Sequence, residues 1–224
     1  MSESDRRAVP RRFENRVDAG QRLAGLLRDL SFDEPVVLAL PRGGVPVGAE
    51  IAAVLGAPLE VLLVRKLGAP RNPEYGVGAI AEDGTRVVDP EATAVLGIRN
   101  GELDAIVTRE REELRRRVQA YRGDRPPPDL RGRTVVVVDD GAATGLTDVA
   151  AIQAVRRQGP RQVILALPVC SPEALELLRG EADQVLCLRA PRPFLGVGQW
   201  YRDFSQVSDR EVIDALHGPA RAAA

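Results

Sequence analysis

Apolar residues recur along this chain in two alternating patterns. Val17, Leu23, Leu26, Leu27 and Leu30 fall at helical spacing between Phe13 and Leu30, which predicts an amphipathic opening helix within a segment spanning residues 12–35. Val36-Val37-Leu38-Ala39-Leu40 is then wholly apolar, the mark of a strand buried on both faces in a parallel sheet. Pro41-Arg42-Gly43-Gly44 interrupts it, an Ala-rich helix is expected over Val45 to Leu55, and Leu59 to Val64 is the next strand. That is a βαβ unit. A second half follows the same scheme, with strands at Thr134 to Val138, Val163 to Leu167 and Val185 to Leu188. Helices are expected between them at Val149 to Arg157 and Pro172 to Arg179, and a closing helix at Asp209 to Leu216. The charged stretch Glu102 to Tyr121 reads as a helix, and Asp124 to Pro128 as a stiff connector.

This alternation implies an α/β fold, a Rossmann-like central parallel sheet flanked by helices, in a single domain over 1–224. Ligands of such sheets sit outside the carboxyl ends of the strands, so the loops after Leu40, Val64 and Val138 should line one crevice. Residues 66–84 break the pattern. Gly68, Pro70, Pro73, Gly76, Gly78 and Gly84 suggest a long mobile loop with at most a short strand at Val77 to Ile80.

Composition narrows the chemistry. Lys+Arg is 31 and Asp+Glu 32, a net charge of -1, which argues against a nucleic-acid or polybasic membrane surface. Lys66 is the only lysine, His217 the only histidine, and Cys170 and Cys187 the only cysteines. These are too few for histidine- or cysteine-rich metal sites. The two cysteines read as small buried apolar residues, and the arginines from Arg6 to Arg16 as a solvated arm. With no apolar run of about 18 residues and no signal-peptide core in MSESDRRAVPRR, a cytoplasmic protein is expected.

The strongest motif is Asp139-Asp140-Gly141-Ala142-Ala143-Thr144-Gly145-Leu146-Thr147, between a β-branched strand and a helix. Adjacent carboxylates at a strand end are costly unless a cation or sugar hydroxyls engage them. The small-residue turn presents amides at a helix N-terminus, a ready anion site. Carboxylates for hydroxyls beside amides for a phosphate describe a receptor for a ribose 5-phosphate.

This run resembles the 5-phosphoribosyl-1-diphosphate (PRPP) loop of the type I phosphoribosyltransferases. The resemblance implies that Asp139 and Asp140 hold the ribose hydroxyls and Mg²⁺, that the turn from Gly141 to Thr147 cradles the 5-phosphate, and that Asp140 belongs to the catalytic set. Arg42, Gly43 and Gly44 resemble the pyrophosphate loop. Arg65 and Lys66 resemble the step that leads into the flexible catalytic lid, here 66–84, and the lone lysine is a catalytic candidate beside Arg65. Phe194 to Phe204 resembles a hood, within a hood and closing helix over 190–216, with Trp200 and Tyr201 as base-stacking candidates and Asp203 as a further metal group. Phe194, Trp200 and Tyr201 would serve equally as a hydrophobic clasp. Ala143 departs from purine enzymes that carry an aspartate there, which leaves the general base unassigned.

The resemblance implies an Mg²⁺-dependent transferase of nucleotide metabolism, a homodimer acting on PRPP and a nitrogenous base. A non-catalytic PRPP-binding regulator and a sugar-phosphate hydrolase are the alternatives.

Overall fold

A computed structural model describes residues 12–217 apart from 29 and 31. The basic arm at Arg6, Arg7 and Arg11 and the closing alanines lie outside the described residues. Helix α1 (Arg16–Leu27) leads to β1 (Val36–Ala39), α2 (Gly44–Leu55) and β2 (Leu59–Val61). After a second, smaller sheet and two helices, β6 (Thr134–Val138), α5 (Leu146–Arg156), β7 (Gln162–Val169), α6 (Pro172–Arg179) and β8 (Gln184–Arg189) complete the main layer. The order β2-β1-β6-β7-β8 is parallel at every pairing. This is the parallel α/β sheet flanked by helices that the alternation of apolar strands and helices leads one to expect.

Strand β6 shows why the sheet is central. Val135 and Val137 pack with Val149, Ile152 and Val155 of α5, whereas Val136 and Val138 pack with Leu23, Leu27, Val47 and Ile51 of α1 and α2. All five of its residues are buried, so a β-branched run with no polar alternation is what this position demands. From β1 the chain winds towards β2, and from β6 it winds the other way towards β7. The two halves part between β1 and β6, the topological switch point where such sheets bind ligands. There Leu40 N–H donates to the Val138 carbonyl at 2.8 Å, so the two loops that follow leave the sheet side by side.

The segment expected to be a long mobile loop is mostly antiparallel strand, which corrects the expectation for 66–84. Strands β3 (Val64–Ala69), β4 (Asn72–Ala81) and β5 (Arg86–Val88) form a three-stranded sheet. Leu67, Val77 and Ile80 are buried in it against Ile106, Val107 and Leu114 of α4 (Asn100–Tyr121). Its glycines serve close packing. A Cβ on Gly78 would sit 2.4 Å from the Val87 carbonyl oxygen, so the glycine lets the strands meet where any side chain would part them. Only Pro70 and Arg71 at one end and Glu82 to Gly84 at the other lie outside the strands. Helix α3 (Pro90–Val95), capped by Asp89 through Glu91 N–H and Ala92 N–H, joins this sheet to α4, and α7 (Asp209–Leu216) closes the chain against α4.

Candidate active site

The acidic pair ends β6 and faces the loop that ends β1. Asp139 accepts the Asp140 N–H at 2.8 Å through Oδ1, which tucks its carboxylate back over the strand end. Gly43 lies directly against Asp140, since a Cβ there would fall 1.9 Å from Asp140 Oδ2. A Cβ on Gly44 would fall 2.6 Å from the Val138 carbonyl oxygen. The two glycines therefore permit one loop to touch the other, and the structure brings Gly43 against Asp140 and Gly44 against the Val138–Asp139 strand end.

The turn after the pair is stitched to the β7–α6 junction. Ala142 N–H donates to the Val169 carbonyl at 3.1 Å, Ser171 N–H to Ala142 at 2.9 Å, and Ser171 Oγ to the Ala143 carbonyl at 2.7 Å. Gly145, at φ 78°, starts α5, where the first-turn amides have no intrahelical acceptor. Ala143 and Thr144 are exposed and Leu146 and Thr147 half-buried, so this rim of amides and hydroxyls borders solvent beside the acids.

The electrostatics are unusual. Burial pushes Asp139 well above the usual carboxylate range, and the Asp140 and Asp148 charges push it further. Asp140 is also raised by burial, with Arg16 opposing. Asp148, on the first turn of α5, is 2% exposed, leaves Oδ1 without a hydrogen bond and is pushed up to about 7 by burial. The sequence reading missed Asp148, because an acid in a helix's first turn reads as a dipole partner. Its signal was the apolar company of Val149, Ala150, Ala151 and Ile152.

Arg16 was missed as well, since it stands in a charged stretch that reads as a solvated arm. Its side chain is only 11% exposed, and its Nε donates to Asp140 Oδ2 at 2.7 Å. The arm reading fails for Arg16 because the opening segment pairs with the chain's end. Phe13 N–H donates to Trp200 and Arg202 N–H to Phe13, each at 2.8 Å, which seats α1 beside the acids.

Other expected site residues are placed elsewhere. Arg65 is bound by α4, its Nε 2.9 Å from Glu110 Oε2, so it anchors the antiparallel sheet. Neighbours along a strand face opposite ways, so Lys66 does not share that face. Its aliphatic stem instead lies over Gly76, where a Cβ would come 3.1 Å from Lys66 Cδ. Arg42 Nη1 lies 3.6 Å from Asp209 Oδ1 at the start of α7. Tyr201 is 3% exposed, its ring 5.4 Å from Phe13 and 5.0 Å from Phe204 between centroids, and its hydroxyl donates to the Asp140 carbonyl at 2.6 Å. A ring so covered cannot stack on a base, so the clasp describes Tyr201. Trp200 is half-buried, stacked on Phe194 at 6.4 Å and 5.5 Å beneath Arg189. Asp203 is exposed and accepts the Ser205 N–H at 2.9 Å. Among the described residues no three His, Cys, Asp or Glu side chains are grouped to hold a metal ion, so Asp203 does not join the acidic pair in such a group.

Residues 13–195 match the family model for the phosphoribosyl transferase domain. The chain belongs to the phosphoribosyl transferase family. It is 46% identical over 204 residues to a Mycobacterium tuberculosis protein named as a candidate phosphoribosyl transferase. The match takes in 91% of this chain and 46% of that relative, so the chain spans about half the length of the curated relative. A uracil phosphoribosyltransferase of Kineococcus radiotolerans is 36% identical over 104 residues, 43% of this chain and 49% of its own. Among solved structures, the protein TT1426 of Thermus thermophilus superposes with a TM-score of 0.76 at 46% identity, covering 92% of this chain and 97% of that one. No helix among the described residues is long and apolar enough to cross a membrane.

Proposed function

We propose that the chain is an Mg²⁺-dependent phosphoribosyltransferase that transfers ribose 5-phosphate from PRPP to a nitrogenous base and releases pyrophosphate. The contact of Gly43 with Asp140 carries this reading. It joins an acidic pair suited to ribose hydroxyls to a glycine loop suited to a diphosphate, at the switch point of the sheet.

In this reading Asp139 and Asp140 accept the ribose hydroxyls, and the amides and hydroxyls from Ala143 to Thr147 hold the 5-phosphate. The diphosphate lies along Arg42, Gly43 and Gly44, with no Cβ to hold it off. The acceptor nitrogen forms its bond to C1 as the C1–oxygen bond to diphosphate breaks, and the electron pair leaves with the diphosphate. The protein supplies position and fixed charge, and covalent catalysis is not required.

Two half-buried carboxylates held above their ordinary range suit Mg²⁺, which takes oxygen ligands and settles for one or two carboxylates. Asp139 and Asp140 would hold the ion, which when bound supplies charge neutralisation to the diphosphate. Lys66, exposed on β3, is the proposed cation for the same charge.

The test is a panel of purine and pyrimidine bases incubated with PRPP and Mg²⁺, reading pyrophosphate. Release with at least one base, and none without a base, is the expected result. Loss of PRPP without a base would make the chain a hydrolase. Binding without turnover across the panel would make it a regulator.

Gly43→Ala supplies a second check. The added methyl must displace Asp140 Oδ2, the atom that Arg16 already grips, so the carboxylate cannot swing aside without breaking that ion pair. A displacement of this size at a reacting centre costs about a hundredfold in turnover. Steady-state kinetics with the base found in the panel, beside a thermal melt showing the variant folded, measures it.

A further inference from the structure

Arg16 is held more tightly than an ordinary ion pair requires. Its Nε donates to Asp140 Oδ2 at 2.7 Å and its Nη1 to the Ser205 carbonyl at 2.8 Å. The guanidinium carbon lies 3.9 Å from the centroid of the Phe204 ring and 5.9 Å from that of Tyr201. A planar guanidinium with two hydrogen bonds and a stacked face has one orientation, which lysine could not reproduce. Two parts of the chain outside the PRPP loop, the start of α1 and the segment before α7, thus converge on one residue of that loop. Tyr201 completes the grip by bonding the Asp140 backbone.

The consequence lies in which oxygen is held. Oδ2 of Asp140 is enclosed by Arg16 on one side and Gly43 on the other, which leaves Oδ1 as the oxygen Arg16 does not engage. We propose that Arg16 is a positioning residue for the sugar: by fixing Oδ2 it sets the Asp140 carboxylate so that Oδ1 accepts a ribose hydroxyl. This rests on reading the acidic pair as the ribose site. The guanidinium also leaves the pair one cation before any ligand arrives, so the pocket holds its shape without the sugar.

Isothermal titration with ribose 5-phosphate and with inorganic phosphate, in Mg²⁺ buffer on the full chain, tests the idea. Inorganic phosphate needs only the turn from Ala143 to Thr147, whereas the sugar phosphate also needs Asp140. Arg16→Gln is expected to weaken ribose 5-phosphate about 10- to 100-fold, the worth of one charge-assisted hydrogen bond, and to leave phosphate binding unchanged. Arg16→Lys should fall between wild type and Arg16→Gln. Phe204→Leu, which keeps the arginine and removes its stacking partner, should move the ratio of the two affinities the same way by less. Wild-type ratios in these variants would overturn the inference. If Arg16→Gln does not fold, Arg16→Lys and Phe204→Leu decide it. A wild-type protein that binds ribose 5-phosphate no tighter than phosphate would overturn the ribose reading itself, and that failure shows before any variant is made.

Discussion

Replacing Asp139 and Asp140 together with asparagine is expected to abolish PRPP turnover and ribose 5-phosphate binding while the chain remains folded. Asparagine keeps the shape of each side chain but removes the charge and turns one acceptor oxygen into a donor. Each hydroxyl loses a charge-assisted bond worth about 1.5 to 3 kcal/mol, so two of them amount to roughly a hundred- to ten-thousandfold in affinity. Folding should survive because both carboxylates are partly desolvated and held above their ordinary range, so neutral side chains relieve repulsion at Asp139. The opposing cost lies at Arg16, whose largely buried guanidinium loses its partner. Single variants should separate these effects, with Asp139→Asn the more stable and Asp140→Asn the less. Calorimetric titration and thermal melts measure both, and wild-type affinity in the double variant would sink the ribose reading.

How much of this site the sequence shows depends on the range of the interaction. The run from Asp139 to Thr147 is legible because one strand, one turn and one helix start build it, and adjacent residues carry the chemistry. The parallel sheet is legible for the same local reason, since wholly apolar runs such as Val135 to Val138 have no other home. Asp89-Pro90-Glu91 carried an ordinary helix-start signature that went unread, and α3 begins there.

Residues 66–84 misled because glycine has two uses. At Gly78 the missing side chain serves contact with Val87, and nothing local distinguishes that from a flexible turn. Arg16 was illegible for a different reason. Its partner Asp140 is 124 residues away, and only the pairing of Phe13 with Trp200 and Arg202 brings the two together. Tyr201 shows the converse. An aromatic near a proposed hood suggests a base, but its neighbours in space, Phe13 and Phe204, cover it. Long-range partners decide whether a charged or aromatic side chain is solvent, clasp or site, and a single sequence does not contain them.

Asp148→Asn should stabilise the protein at neutral and alkaline pH and do little in acid. The native carboxyl titrates at about 7 against an ordinary value of 3.8, with burial the main cause, the backbone near Asp148 opposing, and the Asp140 charge adding to it. A group whose folded pKa is raised favours folding fully below pH 3.8, and that advantage drains away as pH rises to about 7. Above about 7 the chain carries a buried charge with an unpartnered oxygen. At about 1.4 kcal/mol for each pKa unit, the span corresponds to roughly 4 kcal/mol. Asparagine does not titrate, so the difference in unfolding free energy between variant and wild type should be small near pH 4, widen through pH 5 and 6, and level off above pH 7. Denaturant unfolding across that range, with a chelator present so that no divalent cation compensates the acids, measures the difference directly. A flat difference from pH 4 to 8 would show that Asp148 is not held neutral by the fold. The predicted slope would mean that, without a ligand, the protein keeps one acid beside the ribose site as a neutral carboxyl, so that Asp139 and Asp140 face less repulsion when the sugar binds.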